Sequence, residues 1–137
     1  MAKKAEALYS NDPPLETSSA ATHTIVTIDG TDLQGLDDDY TIGLEVRVAT
    51  WNPGGGGGYS GYCRIIGSVK QYNGGATLVV IDDGSPAPAE GAHAGVSDIV
   101  IAVSGTDILI QIVVPDTATM YHQAWVEAKV LSLADEV

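Results

Sequence analysis

The sequence predicts an all-β domain: an antiparallel β-sandwich or jelly-roll of about seven to eight strands with an extended N-terminal arm. Three observations carry this expectation. The apolar residues are mostly Val, Ile, Ala and Leu with no Phe, they alternate with polar ones in short runs, and glycine (16 of 137 residues) punctuates the runs. Branched apolar side chains suit a pleated, half-buried surface, and glycine allows turns without steric cost. No segment carries a capped apolar stripe of helical period, so helix is a minor element.

The strands follow in order. Thr22–Asp29 is bounded by Asp29-Gly30-Thr31-Asp32. Tyr40–Thr50 alternates most cleanly, with Tyr40, Ile42, Leu44, Val46 and Val48 on one face and Thr41, Gly43, Glu45, Arg47 and Ala49 on the other. That is a half-buried strand with one wet side. Tyr59–Lys70 follows, then Ala76–Asp82 after the turn Asn73-Gly74-Gly75. Ser97–Ser104 and Asp107–Val114 place isoleucines in register on either side of Gly105-Thr106, a two-residue turn with Gly first, as type II′ requires. The last strand, roughly Ala118–Leu131, puts Met120, Ala124, Val126, Ala128 and Val130 on one face. If that face is core, Tyr121 and Trp125 project from the polar side beside Gln123, Glu127 and Lys129.

Residues 1–21 differ from the body, 22–137. Pro13-Pro14 blocks helix and favours an extended path, which at full stretch reaches on the order of 70 Å. Leu8, Tyr9, Pro13, Pro14 and Leu15 are the expected partner contacts of such an arm; a frayed terminus is the plain alternative. Two loops stand out. Trp51-Asn52-Pro53 leads into the five consecutive glycines Gly54–Gly58, which predict a mobile loop tip. Asp83–Val96 is long enough to be a binding segment or simply a long crossover.

Eighteen acidic residues against six basic ones give a net charge of −12. Such a surface repels phosphate backbones and anionic lipids, which argues against nucleic-acid and membrane partners. Without the arm, the body holds four basic and 15 acidic residues, a net of −11. Cys63 is the sole cysteine, expected as a small buried hydrophobe, and neither a leader peptide nor a membrane span is expected.

Catalysis is not expected. The glycine run is followed by Tyr59-Ser60-Gly61 and a strand, not by the Lys-Ser or Lys-Thr and helix of a phosphate-binding loop. Asp37-Asp38-Asp39 lacks the alternating ligand spacing of a calcium loop and reads first as a solvated acidic turn. His23, His93 and His122 have no metal-ligand spacing, and no nucleophile elbow is present. Dispersed carboxylate pairs would be invisible at this level, but an aromatic-lined pocket is poorly supplied. No cofactor, metal or small-molecule ligand is expected. The aromatic residues suggest surface binding instead, with Trp51, Tyr59, Tyr62, Tyr121 and Trp125 as the interface candidates.

Ile28-Asp29-Gly30-Thr31, Tyr40 opening a long strand, Gly75-Ala76-Thr77-Leu78, Gly105 before an Ile-rich strand and above all Ala124-Trp125-Val126-Glu127-Ala128-Lys129-Val130, short motifs of turn glycines and strand patterns, carry a resemblance. Over roughly Thr22 to Val137 the chain resembles the small β-sandwich domains of tailed-phage structural proteins. That resemblance implies a non-enzymatic virion component, often trimeric. The expected role is a capsid decoration (cement) protein on the outer surface of the head, a homotrimer with the major capsid protein as partner. A tail-fibre or receptor-binding, carbohydrate-binding domain is the alternative. A short chain without a fibrous shaft, carrying an arm that could reach over neighbouring subunits, favours decoration.

Overall fold

The computed structural model describes residues 6–33, 40–54, 59–71, 78–82 and 89–132. Among them are nine strands and a single 3-10 turn at Gly30–Asp32. The strands are β1 (Glu6–Ser10), β2 (Leu15–Thr17), β3 (Ala21–Asp29), β4 (Tyr40–Trp51), β5 (Gly61–Gln71), β6 (Leu78–Asp82), β7 (Asp98–Ser104), β8 (Asp107–Val114) and β9 (Met120–Ser132). They form two antiparallel sheets. The larger runs β1-β9-β4-β5-β6, with β2 also on β9, and the smaller runs β3-β8-β7. The expected all-β sandwich is the observed fold.

Alternation explains the layers. Ile42, Leu44, Val46 and Val48 of β4, with Cys63, Ile65 and Val69 of β5 and Met120, Ala124, Val126 and Ala128 of β9, are buried under the larger sheet. Ile108, Ile110, Ile112 and Val114 of β8, flanked by Ile99 and Ile101 of β7, meet them from the smaller one. In β3 the register shifts between Thr24 and Val26, so that Ile25 and Val26 are both buried. The bulge turns two successive side chains inward, which strict alternation forbids. Gly105, at φ +60°, opens the β7–β8 hairpin, as the type II′ turn demands.

The N-terminal segment is extended, but it is not a free arm. β1 pairs with β9 from Glu6↔Lys129 to Ser10↔Trp125, and β2 continues the same edge from Leu15↔His122 to Thr17↔Met120. Pro13 and Pro14 bring no N–H to the ladder, so the edge breaks between the two strands. Asn11 spans the gap: its Nδ2 donates to the His122 carbonyl at 3.0 Å, and its Oδ1 accepts from the Ala124 N–H at 2.7 Å. The Asp12–Pro13 peptide at this corner is cis. Ala7 is buried, and Tyr9 and Leu15 pack half-buried against the core. Of the five expected arm contacts, Leu8 and Pro13 are exposed.

Candidate functional site

The register of β9, β4 and β5 builds one surface, the outer face of the larger sheet. Its rows can be read across the strands. Trp51 lies opposite Tyr121, Ala49 between Gln123 and Tyr62, Arg47 between Trp125 and Arg64, Glu45 between Glu127 and Ile66, and Gly43 between Lys129 and Ser68. β1 adds Ser10 beside Trp125 and Leu8 beside Glu127, and β2 adds Glu16 beside Tyr121.

The exposed large hydrophobic residues all lie here among the described residues: Leu8 (80%), Ile66 (61%), Tyr62 (51%), Trp125 (45%) and Trp51 (41%). Trp51 and Tyr121 stack with ring centroids 6.0 Å apart and planes 21° from parallel. Each ring holds the other in place, so the pair forms a preset aromatic platform at one end of the sheet. Scattered apolar residues are normal on a surface; here five share one sheet face.

Arg47, Arg64, Lys70 and Lys129, all four basic residues of the body, share this face. The Glu45 carboxylate accepts from Arg47 Nη2 at 2.8 Å and Arg64 Nη1 at 3.3 Å. Arg64 Nε also donates to Glu90 at 2.9 Å, and Lys129 lies 3.5 Å from Glu127. These half-exposed pairs contribute little to stability but nearly cancel the charge of the face. Two shallow hollows open onto it. One of about 210 Å³ is lined by Gly43, Leu44, Glu45, Ile66, Glu127 and Lys129, and one of about 500 Å³ lies beside Leu8. Among the described residues, no group of three His, Cys, Asp or Glu could hold a metal ion. Asp37, Asp38 and Asp39 lie outside the described residues.

Tyr59 has a different environment from the other aromatic candidates. It is half-buried, and its hydroxyl donates to Asp116 Oδ2 at 3.0 Å. The Ala118 N–H, then the Tyr59 hydroxyl and the Thr117 N–H, hold that carboxyl below the usual range. This is a tie between two loops. Cys63 is fully buried, and burial pushes its thiol up to about 12, so it is chemically inert.

The β5 flank is closed by Glu90, which exchanges both backbone hydrogen bonds with Arg64 at 2.9 Å. The next residue, Gly91, has φ +83°, and a Cβ there would strike the Tyr62 carbonyl oxygen. Gly91→Ala is therefore expected to cost roughly 1–3 kcal/mol through left-handed strain and that collision. A urea titration monitored by circular dichroism checks it, and an unchanged midpoint would refute the backbone argument.

Beneath the platform lies a buried polar cluster. His122 is fully buried between β2 and β4, with Thr17 Oγ1 at 2.8 Å from Nε2 and Thr50 Oγ1 at 2.8 Å from Nδ1. A neutral imidazole donates through one nitrogen and accepts through the other, so both hydroxyls are satisfied. Burial first, and the positive fields of His23 and His93 second, lower its pKa to about 4. Sequence reasoning missed this residue, although its place between Met120 and Ala124 on the inward face of β9 was a signal.

The chain matches known folds only distantly. No protein-family model matches it, and no curated protein matches it. Among solved structures it is similar to the tailspike protein of Acinetobacter phage vB_ApiP_P1, at 12% identity and TM-score 0.46, covering 95% of this chain and 22% of that one. It is also similar to the tailspike protein of Acinetobacter baumannii phage AM24, at 11% identity and TM-score 0.44, covering 90% of this chain and 26% of that one. The chain spans about a quarter of the length of those proteins.

Proposed function

We propose that the chain is a non-enzymatic structural domain of a phage particle that serves in the tail as a receptor-binding module for saccharides. The sequence resemblance to tailed-phage β-domains supplies the setting. The observation that carries the role is the Trp51–Tyr121 stack, a preset aromatic platform on an open face that also holds Tyr62 and Trp125. Flat aromatic surfaces bind the apolar faces of sugar rings, and neighbouring polar side chains such as Gln123 and Glu16 supply hydrogen bonds at the rim.

Capsid decoration is the second reading, and exposed Leu8 favours it as a contact for a neighbouring subunit. That role calls for an arm free to reach a neighbouring subunit, whereas Glu6–Ser10 and Leu15–Thr17 are engaged on β9. The tail role therefore takes precedence over binding to the major capsid protein. A glycan array probed with the intact chain tests it. Selective binding is expected, and Trp51→Ala should weaken it by roughly tenfold or more, as loss of an aromatic anchor does. Absence of any saccharide binding, with the protein recovered in many copies on purified heads, would overturn the tail role in favour of decoration.

A further inference from the structure

We infer that the outer face of the larger sheet is a self-complementary interface on which a second copy of this chain packs face to face about a two-fold axis. This inference does not depend on the saccharide role.

Charge is the first argument. A body of net charge −11 repels copies of itself over most of its surface. The outer face is the exception. Arg47, Arg64 and Lys129 are set against Glu45, Glu90 and Glu127, Lys70 adds a fourth cation, and Glu6 and Glu16 stand at the β1/β2 margin. A second copy can approach there without net repulsion, and there it meets the exposed apolar side chains.

The order of the rows is the second argument. Ser10, Trp125, Arg47 and Arg64 form one row, and Leu8, Glu127, Glu45 and Ile66 form the next. A two-fold axis running across the strands between these rows lays each row on the other row of the partner copy. Arg47 then faces the second copy's Glu45, and Trp125, a donor through its indole N–H, faces Glu127. The Arg64 stem covers Ile66. Every such contact occurs twice. A row holding Arg47 and Arg64 beside a row holding Glu127 and Glu45 matches its own half-turn.

Size is the third argument. With strands about 4.8 Å apart and about 3.3 Å of rise per residue, five strands over ten residues make a face on the order of 800 Å². That is about what each side of a standard stable interface contributes, roughly 800 Å². Aligned sheets cross at about 30°, so the corners diverge. The Trp51–Tyr121 pair lies at the end of the central strands β4 and β9, four residues beyond Arg47 and Trp125, so the dimer carries one pair at each end of the interface. The resemblance noted above implies three copies about one axis; the row pattern supports two.

Sedimentation equilibrium of the intact chain over a range of concentrations tests the inference. The mass of two chains is expected. Trp125→Glu and Glu45→Arg, both at exposed or half-exposed positions, should each raise the dissociation constant by at least roughly tenfold. The double change Glu45→Arg with Arg47→Glu swaps the charges of the two rows and should restore pairing. A one-chain mass at every concentration, a three-chain mass, or a dimer indifferent to both single changes would overturn the proposal. Failure of the charge swap to rescue would do the same for the two-fold register. Glycan binding by a chain that stays monomeric would leave the saccharide role standing while this inference fell.

Discussion

A chain lacking residues 1–17 is expected to fold less stably by on the order of 3–5 kcal/mol, from lost apolar burial and unsatisfied polar groups. Three losses add up. Ala7, Tyr9 and Leu15 leave the core, uncovering the β9 flank. The backbone pairing of β1 and β2 with β9 disappears, together with the Asn11 bonds to His122 and Ala124. Thr17 is removed from His122, whose ring then lacks one of its two partners. For a domain of this size the midpoint of thermal unfolding should drop by roughly 10–15 °C. Melting curves of the full and shortened chains, followed by circular dichroism, make the comparison. A free arm would leave the midpoint unchanged, and that outcome would mean that the β1 and β2 pairing contributes nothing to the body.

The same segment marks the limit of what the sequence reveals. The seven body strands were legible because each is a run rich in branched apolar residues closed off by turn residues, and Asp107–Val114 agrees to the residue. β1 and β2 have five and three residues and are interrupted by Pro13-Pro14. So short a run has no readable period, and its partner on β9 lies far along the chain, 111 positions away for the Asn11–His122 bond. Local pattern holds no information about a pairing that distant. The candidate site divides along the same line. The outward direction of Trp125 and Tyr121 followed from β9 alone. The Trp51–Tyr121 stack needs β4 and β9 to be neighbours, and the crowding of Leu8, Ile66 and Trp125 on one face needs β1, β9, β4 and β5 in that order. Ile66 was invisible for another reason. The expected strand Tyr59–Lys70 gave no indication which of Ile65 and Ile66 faces the core, and Ile65 takes that place.

Lowering the pH should weaken the fold through His122. The native chain holds the imidazole neutral, with a pKa of about 4 in place of 6.5, chiefly because the ring is buried. The unfolded chain takes up the proton near its ordinary value, so it binds more protons wherever the pH lies between the two. Stability from this residue is complete above pH 6.5 and declines as pH falls toward about 4, below which both states are protonated and the dependence ends. Integrated over that window, the loss is on the order of 3 kcal/mol. Thr17 and Thr50, the side chains bonded to the ring, do not titrate, so no bonded carboxylate offsets the charge when it arrives. Carboxylates elsewhere also respond to acid, and the contribution of His122 is therefore read as a difference. His122→Gln keeps one donor and one acceptor for the two hydroxyls but has no proton to gain. Urea unfolding of both proteins from neutral to acid pH should give stability curves that converge as pH falls, the native chain losing its advantage. Curves that stay parallel through the window would mean that the imidazole is not held neutral by burial between β2 and β4.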